Sequence, residues 1–235
     1  MARPKAVLFD VFGTVVDWRG SLIRAFTEFG RGQGIEADWA GLVDAWRGAY
    51  RPSLDQVRHG ERPWCTLDAL HRASLETLLP RFGLDALDEA ARQFTVRAWH
   101  ALDPWPDVVE GLSRLKKSAI IGTLSNGHTA LLVRMARRAG LPWDVVFGAD
   151  MFRHYKPDPE TYLGAASFLD LAPGEVMLAA AHPSDLAAAR AVGLRTAFIP
   201  RPLEHGPGHA PPAPPEGVDV TAESVGVLAA WLEGA

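Results

Sequence analysis

Four polar positions stand where a chain of this kind could do chemistry. Asp10 lies in the apolar run Lys5-Ala-Val-Leu-Phe-Asp-Val-Phe12, just ahead of Gly13-Thr14. Ser125-Asn126-Gly127 follows Ala119-Ile-Ile-Gly-Thr-Leu124. Lys156 stands in Tyr155-Lys-Pro-Asp158, and Asp185 ends Ala181-His-Pro-Ser-Asp185. Singly, each has an ordinary structural reading. A strand-end Asp forms turns and caps, Ser-Asn-Gly is a common turn, Lys156 suits a solvated position before a capped helix, and Asp185 suits a helix N-terminus. In order, each at the end of a strand, they read as one site: a carboxylate nucleophile, a hydroxyl, a fixed cation and a second acid.

The elements that must position them follow from hydrophobic period. The run into Asp10, bounded by Gly13, reads as a buried parallel strand. From Ser21 to about Trp99 the period is helical, as in Val43, Trp46, Tyr50, Leu54, Val57 and in Leu67, Leu70, Ser74, Leu75, Leu78, with no convincing strand. After Asp103-Pro104-Trp105-Pro106 strands and helices alternate. A helix from Asp107 to Lys117 precedes the strand Ala119 to Leu124, and a helix from Thr129 to Ala139 stops at Gly140 as its C-cap. The strand Val145 to Phe147 follows, then a helix with Asp158 as N-cap and Pro159 at its first position. The strand Val176 to Ala179, a helix through Ala191 ended by Gly193, and the strand Thr196 to Ile199 come next. The tract Pro200 to Gly217 holds seven Pro and three Gly and must be loop. A short strand near Val218 and a helix from Ala222 to Leu232 close the pattern.

This alternation implies an α/β fold, a doubly wound, Rossmann-like parallel sheet, whose reactive groups collect at the carboxyl ends of the strands. The first strand is separated from the other βα units by the helical stretch. The expected organisation is a catalytic core of residues 1–16 and 98–235, with a helical cap of residues 17–97. Length agrees: 235 residues at roughly 150 per domain make one core and something smaller. With 24 basic and 28 acidic residues the net charge is −4, which argues against a nucleic-acid partner. The single Cys65 can form neither an internal disulfide nor a cysteine-based metal site. No apolar run approaches the roughly 18 residues of a membrane span. Met1 to Lys5 leads straight into a strand, so no signal peptide is expected and the cytoplasm is the expected location.

The ordered set Asp10, Ser125, Lys156 and Asp185, with its early helical insertion, resembles the haloacid dehalogenase superfamily across essentially the whole chain. Asp-Val-Phe-Gly-Thr, Leu-Ser-Asn-Gly and Tyr-Lys-Pro-Asp look closest to the type II 2-haloacid dehalogenases. Most of that superfamily are magnesium phosphatases, which carry a second Asp two residues after the nucleophile to protonate the leaving alkoxide. Here that residue is Phe12. Magnesium wants several carboxylates, and the late motif Ala-Ala-Ala-His-Pro-Ser-Asp offers only Asp185. Halide leaves as a stable anion and needs no proton. The resemblance therefore implies hydrolysis of short 2-haloalkanoic acids through an Asp10 ester, with inversion at C2 and with no cofactor or metal. A magnesium-dependent phosphatase or phosphonatase is the alternative.

The resemblance, joined to charge logic, implies further roles. Lys156 offsets the charge of Asp10 and keeps it ionised. Thr14 hydrogen-bonds Asp10, and Asp185 orients or activates the hydrolytic water. Ser125 and the amides after Asp10, from Val11 onward, hold the substrate carboxylate. Phe12 walls the substrate and Asn126 donates to the halogen. Arg47, in Ala45-Trp-Arg47, matches the family arginine that draws off halide, and Tyr162 matches a tyrosine near the site. The family usually has Ser and Asn ahead of the last Asp, where this chain has Ala180 and His182. His182 is open to three readings: a general base, a donor to substrate, or a replacement for Asn in positioning water. Trp18, Trp39, Trp46 and Trp64 of the cap read chiefly as core, with Trp18 also placed near a hinge. A homodimer is implied by resemblance alone.

Overall fold

Ala6–Phe9 forms β1, and its four side chains are fully buried. A strand covered on both faces must be apolar throughout, which is why this segment does not alternate. The computed structural model describes residues 3–210 and 212–234. After β1 come β2 (Val16–Asp17) and four helices, α1 (Trp18–Gln33), α2 (Trp39–Arg58), α3 (Leu67–Leu78) and α4 (Glu89–Ala98). Then follow β3 (Asp103–Pro104), α5 (Val108–Leu115), β4 (Ile120–Ser125), α6 (Thr129–Ala139), β5 (Val145–Gly148), α7 (Ala149–Phe152) and α8 (Pro159–Phe168). The chain continues through β6 (Val176–Ala180), α9 (Pro183–Ala191), β7 (Arg195–Phe198), β8 (Val220–Thr221) and α10 (Val225–Gly234).

Six strands form one sheet in the order β5-β4-β1-β6-β7-β8, with every pairing parallel. β1 sits between β4 and β6, so the chain winds outward from it in both directions. That reversal opens a crevice at the carboxyl ends of these three strands. The register Phe9↔Thr123 and Phe9↔Ala179 brings Asp10, the Ser125-Asn126 turn and the Ala181-His182 turn to one edge.

The sequence reading missed the second sheet. β2 and β3 pair antiparallel, Val16 with Pro104 and Asp17 with Asp103. Two residues per strand carry no periodicity, yet the pair brings the exit and return of the helical segment side by side. α1 begins at Trp18 rather than Ser21, because the Asp17 carboxylate accepts from the Gly20 amide at 2.8 Å. α6 and its left-handed Gly140 cap, φ 68°, stand as expected. The turn of helix α7 directly after β5 was not expected. Asp158 does occupy the N-cap position of α8, but its side chain makes no cap bond. It lies 2.8 Å from Arg58 Nε instead. Among the described residues, no helix is long and apolar enough to cross a membrane.

Candidate active site

Asp10 follows β1 and is 7% exposed, and every oxygen of its carboxylate has a donor. Lys156 Nζ donates to Oδ1 at 3.0 Å. Thr14 Oγ1 donates to Oδ2 at 2.8 Å, and His182 Nδ1 lies 3.0 Å from the same oxygen. Thr14 is itself fixed, because its hydroxyl oxygen accepts from the Ala181 amide at 2.9 Å. Burial alone would raise the Asp10 pKa. The charge of Lys156 and the bonds from His182 and Thr14 outweigh it and hold the carboxyl far below the usual range.

Lys156 is equally enclosed, with its ammonium between Asp10 Oδ1 and Asp185 Oδ2. Burial lowers its pKa, but the two carboxylates together raise it above its ordinary value. Asn126 sets the main chain at this point: its Oδ1 accepts from Lys156 N at 2.7 Å, and its Nδ2 donates to Lys156 O at 3.3 Å. Asp185 sits in the first turn of α9, where Tyr162 from α8 donates to Oδ1 at 2.6 Å.

A cavity of about 540 Å³ opens over these groups. Of the residues singled out from sequence, Asp10, Phe12, Arg47, Asn126, Lys156, Tyr162, His182 and Asp185 line it. Ser125, Val11 and Thr14 do not. The Ser125 oxygen accepts from the Gly127 amide at 3.1 Å, which stabilises its own turn. The Val11 side chain is core, but among the described residues the Val11 and Phe12 amides donate to no other group. The expectation that Asn126 serves the halogen meets a side chain already engaged with the Lys156 peptide.

Arg47 reaches the cavity from α2 with its guanidinium 4.3 Å above the Tyr50 ring and 5.1 Å from the Trp18 ring. Its Nη1 is buried and lacks a hydrogen-bond partner. A buried cationic donor without an acceptor is where an anion would gain most. Trp46, its neighbour in sequence, points away into the helices, donating from Nε1 to His71 O at 3.1 Å. Trp18, Trp39 and Trp46 are buried as expected, and Trp18 also lines the cavity. Trp64 is only half-buried.

Sequence reasoning missed Glu204. It comes from the Pro-rich tract yet is 4% exposed, and its carboxylate lies 3.0 and 3.1 Å from His182 Nε2. Trp18 Nε1 donates to it at 3.1 Å, and Arg47 Nη2 stands 3.9 Å away. Arg201 anchors the tract. It donates from Nε to Thr14 O at 2.8 Å and pairs with Asp107. Gly13 has φ 88°, and a Cβ there would stand 2.1 Å from Glu204 Oε1, so only glycine lets the carboxylate approach. The one signal in the sequence was an acidic residue inside an apolar, proline-rich loop.

The donor set does not fit a magnesium ion. Phe12 stands where a second acid would be and packs edge-on against Trp99. Both oxygens of Asp10 and both of Asp185 already face protein donors, and Lys156 lies between the two groups.

A parallel sheet with the nucleophilic Asp after its central first strand, a Lys bridging it to a late Asp, and a helical insertion after that strand define a haloacid dehalogenase-like hydrolase. The chain belongs to this family, whose model matches residues 4–193. It is 30% identical over 206 residues to the (S)-2-haloacid dehalogenase of Xanthobacter autotrophicus, covering 84% of this chain and 75% of that one. A solved L-2-haloacid dehalogenase is 52% identical, with a TM-score of 0.96 over 99% of this chain and 100% of the other. A solved defluorinating L-2-haloacid dehalogenase is 49% identical, with a TM-score of 0.95 over 98% of this chain and 95% of the other.

Proposed function

We propose that this protein is a 2-haloacid dehalogenase that converts short (S)-2-haloalkanoic acids to (R)-2-hydroxy acids. The carrying observation is a buried, ionised Asp10 whose neighbour two positions on is Phe12 rather than an acid. Such a site can displace a leaving group that needs no proton, and halide is one. The names of the similar dehalogenases support the substrate class and the enantiomer.

The hydrogen bonds suggest which oxygen attacks. A carboxylate oxygen has two lone pairs. Oδ2 has donors on both, from Thr14 and His182, whereas Oδ1 has only Lys156. Oδ1 therefore carries the free pair and attacks C2 in line, forming an ester and releasing halide. Arg47, with its unpartnered Nη1, receives the halide as charge develops on it. The free amides of Val11 and Phe12 hold the substrate carboxylate, and Asn126 acts by fixing Lys156. Water held by Asp185 then attacks the Asp10 carbonyl carbon. Residues 17–97 act as the cap over this cleft, with residues 1–16 and 98–235 as the core. Cytoplasmic location and a homodimer are carried over from the resemblance.

A halide-release panel over fluoro-, chloro- and bromo-acids, run beside p-nitrophenyl phosphate with and without EDTA, tests the assignment. Halide release unaffected by EDTA is expected. Magnesium-dependent phosphate release without halide release would overturn it.

A further inference from the structure

The ester formed at Oδ1 has a second half-reaction, and the groups around Oδ2 are arranged for it. When water adds to the ester carbon, negative charge moves onto Oδ2. The Thr14 hydroxyl at 2.8 Å and the His182 ring nitrogen at 3.0 Å already point at that atom. Donors at such distances from a developing oxyanion are the geometry that lowers this kind of barrier. The imidazole must carry a proton on Nδ1 to serve, and its other nitrogen faces the buried carboxylate of Glu204.

We propose that His182 and Thr14 form the oxyanion site for hydrolysis of the Asp10 ester, and that Glu204 is the positioning residue that keeps His182 protonated. The proposal rests on the dehalogenase reading above. In the resting enzyme two anions flank His182, Asp10 and Glu204. Burial lowers the imidazole pKa, but these two bonds push it up to about 10. Once Asp10 is esterified its charge is gone. Glu204 is then the anion that holds the imidazolium, in the step that uses it. The other charged or titratable groups around this cavity are Lys156, Asp185, Arg47 and His205.

The step balances as follows. Water gives a proton to Asp185 and its hydroxyl to the Asp10 carboxyl carbon, and the carbonyl electron pair moves to Oδ2. Collapse restores the carbonyl and breaks the bond to Oδ1, so the product leaves as an alkoxide carrying Oδ1. That oxygen lies beside Lys156 Nζ, which supplies its proton. Asp185 returns the proton to Lys156, and the new Asp10 carboxyl ionises.

The test is Glu204→Gln in the full-length enzyme, with (S)-2-chloropropionate under single-turnover conditions. Halide release and ester breakdown are followed separately, the ester by intact-protein mass. Halide release stays within a few-fold of wild type, while the ester accumulates. Without its anion, His182 falls towards its ordinary pKa of about 6.5. Ester breakdown in the variant then slows about 25-fold between pH 6 and pH 8, while wild type stays flat over that range. Glu204→Asp restores most of the flat profile. Should Glu204→Gln not fold, His182→Gln takes its place, and its ester breakdown is slow at every pH. Ester breakdown that matches wild type at both pH values, or a loss confined to halide release, would overturn the proposal. No halide release by the wild-type enzyme would instead remove the dehalogenase reading beneath it.

Discussion

Replacing Lys156 with Met keeps the length of the side chain and removes the charge that holds two buried carboxylates. The Lys156–Asp10 pair alone, at 3.0 Å, is worth about 5 kcal/mol of attraction at an effective dielectric of 20. Loss of the buried ammonium itself recovers part of that. Breaking one partner out of a buried pair costs about 3–5 kcal/mol net, or roughly 6–20 °C in Tm for a chain of this size. The pH dependence is the sharper signature. In wild type the folded Asp10 pKa lies below the unfolded value, so its stabilisation is present above pH 3.8 and fades as pH falls. With Lys156 gone, burial is opposed only by His182 and Thr14, and the Asp10 pKa rises. The stability gap between variant and wild type therefore narrows on acidification. Urea unfolding of both proteins at pH 7.5 and pH 5 measures it. A variant within 1 kcal/mol of wild type at pH 7.5, or a gap that widens at pH 5, would refute the reasoning.

Arg47→Ala is expected to slow halide release by about 10²–10³-fold and to leave ester breakdown intact; stopped-flow halide detection reads the first step, and an unchanged rate would show that Arg47 is not the halide cation. Tyr162→Phe removes a bond to the charged Asp185 and should cost about 1.5–3 kcal/mol in urea unfolding. The same variant should slow ester breakdown more than halide release, because the freed Asp185 Oδ1 is no longer fixed.

Strand ends were the most legible part of this chain. β1, β4 and β6 are buried on both faces and so appear as uninterrupted apolar runs, and the polar residue that ends each run is by necessity at the crevice. Asp10, Lys156 and Asp185 were found that way, and they form one bridged cluster. Local rules also served where they are strong, as at α6, whose end needs the left-handed backbone of Gly140. They failed where placement depends on distant partners. Glu204 reaches the site because Arg201 ties its loop to Thr14 and Asp107, a constraint no local pattern carries. Ser125 shows the converse: its position at a strand end was right, but its hydroxyl serves the Gly127 turn. Asn126 combines both, lining the cavity while its amide fixes the Lys156 peptide.

The central claim is an ester on Asp10, and isotope transfer reads it directly. Excess enzyme is allowed one turnover of (S)-2-chloropropionate in oxygen-18 water, and both the product and the peptide containing Asp10 are weighed. The account predicts unlabelled (R)-lactate and one oxygen-18 atom in the Asp10 carboxylate, with no reaction in Asp10→Asn. Label in the first-turnover product, with none in Asp10, would contradict it.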